Sequence, residues 1–250
     1  METFNITLPT CWDDLSDKQL LMVYSLFSRD LATAEVKTLC LMKWNQLKVL
    51  ATLPAHRFLI KRKKEQVVLS TRQIQQANSV LDYLDSFAPM PVRISRIGKY
   101  RALPADFEKV PFEQYLFVDN LFQGYLNTQS DELLLQIAQV LYASDDVKPS
   151  KAHLVGIFYW MASLKQYFAS LFPNFYKPAS AMGETNLLGS GQQDIYSQLR
   201  ESTNAMIRAL TGGDITKESA IMKMDTWRAL TELDAKAKEV EELRKAYKKP

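Results

Sequence analysis

The sequence predicts a mainly α fold: a multi-helix, bundle-like body with a small inserted β-hairpin and a long C-terminal helix. Three observations carry that expectation. Apolar residues recur with helical spacing over most of the chain. Only 8 of 250 residues are glycine, too few for the closely spaced turns of a sandwich or barrel. Capping residues precede several of the apolar stripes. With 47% hydrophobic and 24% charged residues, the chain can build a core without metal or disulfides.

Taken in order, Phe4 to Leu8 alternates apolar and polar residues and predicts a short strand, stopped by Pro9. Ser16 and Gln19 form a capping box, and the helix they open carries Leu20, Val23, Tyr24 and Phe27 on one face. A second helix is expected from about Ala32 to Leu50, with Val36, Leu39, Cys40, Leu47 and Leu50 on one side, ended by Pro54. Arg57–Arg62 and Gln66–Thr71 are short apolar runs separated by Lys63-Lys64-Glu65. They predict a hairpin near 57–71, although its turn lacks the Gly or Asn such turns favour. A helix from about Thr71 to Phe87 follows, with Ile74, Ala77, Val80, Leu81 and Leu84 on one face.

Val92 to Leu103 is an extended or irregular basic connector. Helices then resume: Phe112 to Leu126, a second capped by Ser130 or Asp131, and a long apolar one from Pro149-Ser150 to Phe172-Pro173. The glycines and small residues of 177–193 predict a mobile loop. Asp194 to Leu210 is amphipathic and closed by Gly212-Gly213. Thr216 then caps a final helix reaching about Lys248, with a short coiled-coil-like stripe through Leu230, Leu233, Ala237, Val240 and Tyr247. The expected organisation is a helical body over 1–176, the loop 177–193 and a C-terminal helical pair over 194–250.

Cys11 and Cys40 make no disulfide framework, which suits free thiols in a reducing compartment. The first ten residues lack the basic and apolar regions of a signal peptide. No run reaches the roughly 18 apolar residues of a membrane span. No membrane partner is expected. Net charge is +3, but Arg57 to Arg101 holds ten basic and three acidic residues, a local +7 that leaves −4 for the rest.

Catalytic signatures are missing from the chain. His56 and His153 stand without a partner at metal-ligand spacing, and no glycine loop for phosphate is present. Asp13-Asp14 and Asp145-Asp146 fall at helix boundaries, where the helix dipole explains them. The expectation is a protein that is not an enzyme and uses no cofactor and no metal. Protein contacts are expected through Trp227, Leu230, Leu233 and Val240 of the final helix. The alternative is a nucleic-acid contact, or one with an acidic protein surface. It would use Arg57, Lys61, Arg62, Lys63, Lys64 and Arg72 of the hairpin with the 93–101 connector. A solvated hairpin tip, whose lysines deter edge pairing, explains the same cluster without a ligand.

Three stretches together carry a resemblance: Leu8-Pro9-Thr10-Cys11-Trp12-Asp13-Asp14-Leu15-Ser16-Asp17-Lys18-Gln19-Leu20; Phe112 to Tyr142 with Asp119, Tyr125 and Leu141-Tyr142; and Leu171-Phe172-Pro173-Asn174-Phe175 with the later Gly-Gly-Asp and terminal helix. In this order they resemble helical proteins encoded among the structural and tail genes of tailed phages and prophages of gut bacteria. The resemblance implies a non-enzymatic virion-structural or tail-assembly protein. Its partners would be other phage structural or assembly proteins or a second copy, and its place the host cytoplasm, with or without incorporation into the virion. It carries no site residue over, and the Arg57–Arg72 hairpin is not part of it.

Overall fold

The structure is a computed structural model that describes residues 5–29, 31–176 and 192–247, the side chains of 192–196 excepted. It is mainly α. The helices are α1 (Asp17–Phe27), α2 (Thr33–Trp44), α3 (Thr71–Asn78), α4 (Phe112–Thr128), α5 (Asp131–Leu141), α6 (Lys151–Leu171), α7 (Gln192–Thr211), α8 (Glu218–Met222) and α9 (Thr226–Tyr247). Strands β1 (Lys48–Leu53), β2 (Arg57–Arg62) and β3 (Glu65–Ser70) form an antiparallel sheet in that order; β4 (Arg96–Ile97) and β5 (Tyr100–Arg101) form a minimal second one.

The chain divides into two compact units: Met1–Ala88 with Val92–Ser95 and Pro149–Tyr159, and Pro89–Pro91 with Arg96–Lys148 and Trp160–Pro250. This differs from the expected division into 1–176 and 194–250. Of the expected mobile loop, residues 177–191 lie outside the described residues, while 192 and 193 open α7.

In the first unit, α1 starts at the expected cap: Gln19 Oε1 accepts from Ser16 N at 3.0 Å and from Ser16 Oγ at 2.7 Å. Its apolar face buries Leu20, Val23 and Tyr24 with Trp12, Val36, Cys40, Leu81 and Leu84. Trp12 stacks on Tyr24 at 6.2 Å and donates through Nε1 to the carbonyls of Tyr83 and Ser86. A buried tryptophan thereby satisfies its only polar atom. Lys37, also buried, reaches Asp82 at 2.6 Å and Asp85 at 2.5 Å. Asn5 to Leu8, part of the expected first strand, has no regular structure; Phe4 lies outside the described residues. Thr71 to Phe87 is not one α-helix. α3, capped by Ser70, tightens into a 3-10 helix over Ser79–Asp85.

The second helix also ends earlier than expected. α2 stops at Trp44, and Gln46 adopts a left-handed φ of +55° that no α-helix can continue through. Lys48–Leu53 then pairs with β2, so the expected hairpin is two strands of a three-stranded sheet. Pairing supplies all of these residues but Leu50 with a partner, which overrides the weak helical preference of Val49 and Thr52.

In the second unit, Arg96–Ile97 and Tyr100–Arg101 close around Gly98 at φ +60°, where the sequence suggested an irregular connector. Phe107, Phe112, Tyr115, Phe168 and Trp160 are buried together, and Trp160 Nε1 donates to the Ala105 carbonyl at 2.7 Å. Gly212 and Gly213, with φ of +65° and +86°, close α7 as expected. The final helix does not run from Thr216. The segment breaks into a 3-10 turn (Ile215–Lys217), α8, and α9 from Thr226. The break has a clear gain. Phe112 N donates to the Met224 carbonyl at 2.8 Å, while Thr226 donates to the Val110 carbonyl through both N and Oγ1.

Candidate binding surface

The three-stranded sheet gathers most of the hairpin cations. β2 and β3 are joined by Lys63-Lys64, a two-residue turn between the paired residues Arg62 and Glu65. Lys63 sits at φ +53°, the left-handed region in which the expected Gly or Asn would be at ease. Pro54-Ala55-His56 joins β1 to β2, with Ala55 and His56 also left-handed. His56 is exposed and its carbonyl accepts from Thr71 N and Oγ1, a turn-closing role.

Alternation sorts the side chains into two faces. Ile60, fully buried, shares its face with Phe58, Arg62, Val49 and Val67. The opposite face carries Arg57, Leu59 and Lys61, with Lys48 paired to Lys61 and with Ala51 and Val68 flanking Leu59. An apolar row thus lies between basic ones. Between Lys48 and Arg72 the chain holds seven basic residues and one acidic, a net +6.

Those charges are not compensated from within. Among the described residues none of Lys48, Arg57, Lys61, Lys63 and Lys64 has a carboxylate at ion-pair distance. Directly opposed like charges, as at Lys48 and Lys61, destabilise a sheet. Arg62, on the inner face, donates to the Asn5 carbonyl at 2.6 Å, and Arg72 lies in the first turn of α3. The six cations therefore do not converge on one point. Arg57 and the Lys63-Lys64 turn lie at opposite ends of β2, about 20 Å apart at the rise of a strand. Phe58, the one aromatic here that could stack on a base, is half-buried on the Ile60 face. Of the connector, residues 93–95 belong to the first unit and 96–101, including Tyr100, to the second.

β1 is the edge. All of it but Leu53 is exposed, Val49 to 52% and Leu50 to 48%. The register slips between Val49 and Ala51, so Leu50 bulges out of the ladder. On its outer side no other strand among the described residues pairs with it. An unpaired edge presents a row of backbone donors and acceptors to any extended chain that meets it.

The final helix is a different matter. Leu230 and Leu233 are 0% and 4% exposed in the second unit's core. Trp227 packs on Tyr167, Phe168 and Phe172 at 5.9 to 6.1 Å and donates through Nε1 to the Asp106 carbonyl at 2.8 Å. These three expected anchors are occupied within their own chain and are not a free docking face. Only Val240, of the four, is exposed. The helix break at Met224–Thr226 is the physical reason, because it seats the start of α9 against the Val110–Phe112 backbone.

Among the described residues the titratable groups that come together most closely are Tyr115, Tyr176, Lys165 and Asp119 of the second unit. His153 accepts from Ser150 N at 3.1 Å as the cap of α6. Asp14 accepts from Thr10 N and Oγ1, which holds its carboxyl below the usual range. Among the described residues no group of three His, Cys, Asp or Glu could hold a metal, and no helix is long and apolar enough to cross a membrane. In the second unit a cavity of about 280 Å³ is lined by the apolar Phe117, Leu121, Leu133 and Leu199 and by the polar Asn120, Arg200, Thr203 and Asn204, with no carboxylate among them. Buried Tyr115 and half-buried Tyr176 share a 2.5 Å hydrogen bond, and Lys165 meets Asp119 at 2.7 Å; desolvation lifts both phenols well above their ordinary range.

Compared with protein-family models, curated proteins and solved structures, the chain finds no match.

Proposed function

We propose that this protein is a non-enzymatic binding protein whose working surface is the basic three-stranded sheet, and that it serves in the virion structure or tail assembly of a tailed phage or prophage. The observation that carries the binding role is the pairing of an unfilled β edge with uncompensated cations. The assembly setting rests on the likeness of the Leu8–Leu20, Phe112–Tyr142 and Leu171–Phe175 stretches to phage structural proteins. Its partners are other structural or assembly proteins, met in the host cytoplasm.

A protein partner suits the surface better than a nucleic acid. Exposed Val49 and Leu50 offer apolar contact and backbone pairing, both of which a polypeptide can return. Phosphates would use the lysines alone, and the inward placement of Phe58 removes a stacking platform.

Purification from the native source tests the reading, with the wild type beside Lys61→Glu/Lys63→Glu/Lys64→Glu. The wild type should bring down structural subunits of a particle, and the variant should lose them. Elution of the wild type with nucleic acid, released by raised salt, would transfer the function to the alternative. Elution alone in both cases would refute the assembly role.

A further inference from the structure

We infer that β1 is an acceptor for an acidic, extended segment of another polypeptide, which adds to the sheet as a fourth strand. This rests on the binding role proposed above and names its partner's chemistry.

The edge itself asks for a strand. Its sequence Lys-Val-Leu-Ala-Thr-Leu is rich in sheet-forming residues, contains no proline, and leaves its outer backbone without a neighbour among the described strands. Charge then selects among strands. A residue added opposite Lys48 on the outer face would stand about 5 Å from it and about 10 Å from Lys61, at the ordinary spacing of strands. One opposite Leu53 would look across to Arg57. One opposite Ala51 would complete the apolar row with Leu59 and Val68. The face therefore reads basic, apolar, basic, and its complement is a strand whose every second residue, all on one face, reads carboxylate, apolar, carboxylate.

A second copy of this edge is a poor occupant. Pairing β1 with itself would bring two segments of net +6 together, and lysines near an edge discourage that contact while admitting an acidic strand. One set of residues thus blocks self-assembly and recruits a partner.

The probe is a short synthetic peptide in which glutamate, valine and glutamate stand at every second position with threonine between them, so that all three share a face; it is titrated onto the full chain and followed by fluorescence anisotropy and amide hydrogen exchange. Binding should be saturable and should slow exchange in residues 48–53. It should vanish when alternate peptide amides are N-methylated, which removes the backbone pairing and keeps the charge. Lys48→Glu/Arg57→Glu/Lys61→Glu should weaken binding about 30-fold or more, as expected when three exposed attractions turn repulsive. The same variant should gain affinity for the peptide with lysine in place of each glutamate; that gain also shows that its sheet remains folded. Equal binding of the N-methylated peptide would overturn the inference, and so would protection confined to other residues. Stronger competing binding of single-stranded DNA, or dimerisation of the chain through 48–53, would overturn it as well. If the native partner is retained while residues 48–53 exchange freely in the complex, only this inference falls; if no protein partner exists, the proposed function falls first.

Discussion

Gly156 in α6 offers a sharp test of how the first unit packs. A Cβ built there would lie 2.8 Å from Cδ2 and 3.0 Å from Cε2 of Tyr24, and 3.4 Å from Cδ1 of Ile94. The Tyr24 ring is fully buried, stacked on Trp12 and 5.5 Å from Tyr159, so it has little room to retreat. Gly156→Ala gains about 0.8 to 1 kcal/mol of helix propensity. Overpacking a filled core costs about 1 to 3 kcal/mol. At 2.8 Å from a fully buried ring the cost lies in the upper half of that range, about 2 to 3 kcal/mol, so the net is a loss of about 1 to 2 kcal/mol, or roughly 2 to 8 °C in Tm for a chain of this size. Thermal unfolding followed at 222 nm measures it. Gly124→Ala in α4 is the internal control. Its Cβ would meet only the end of the Leu133 side chain at 3.2 Å, which can turn aside, so this change should be neutral or stabilising. An unchanged or raised Tm for Gly156→Ala would refute the packing described around Tyr24.

Three further outcomes are expected. Lys63→Gly relieves a left-handed residue at an exposed turn and should stabilise the protein by about 0.5 to 1 kcal/mol in urea titrations; a loss would mean that the turn is not strained. Leu230→Ala should lower stability by about 2 to 5 kcal/mol, as for a core leucine; near-wild-type stability with loss of a partner would instead restore α9 as an interface. Stability should also fall at alkaline pH. Burial lifts the Cys40 thiol from 9.0 to about 12 and holds the Tyr115 phenol well above 10.0, so both stay protonated in the fold after the unfolded chain has released those protons. At Lys37, burial pulls the ammonium down, but Asp82 and Asp85 outweigh it and the net shift is upward from 10.5; that contribution too is present at neutral pH and lost above 10.5. The urea midpoint should therefore hold steady below pH 9 and decline towards pH 11. A flat profile would contradict the burial of these groups.

Much of the helical framework was legible in the residues because its signals are local. Ser16 with Gln19 opened α1 and Gly212-Gly213 closed α7, each through chemistry confined to a single turn, while Ser130 stands at the N-cap of α5 without a side-chain cap bond. What escaped depended on distant partners. Leu47 and Leu50 stand in phase with the stripe of α2, so β1 was hidden as helix until its pairing with β2 was seen. Gln46, whose left-handed backbone makes the break, is not a residue that announces it. Likewise the periodicity of Leu230 and Leu233 runs on smoothly from Thr216, although Asp225-Thr226 already contained an N-cap: Asp225 Oδ1 accepts from Arg228 N at 3.2 Å. The cations of the sheet were visible from the start, but their division between faces is set by register, which no run of residues states alone.

The central claim is that β1 is where a partner strand docks. Amide hydrogen exchange on residues 48–53, compared between the isolated chain and the chain within its native assembly, tests it most directly. Rapid exchange at the outward amides in isolation, slowed by at least about tenfold in the assembly, is the expected result. Unchanged exchange there, with protection arising on the exposed end of α9 around Val240 instead, would contradict it.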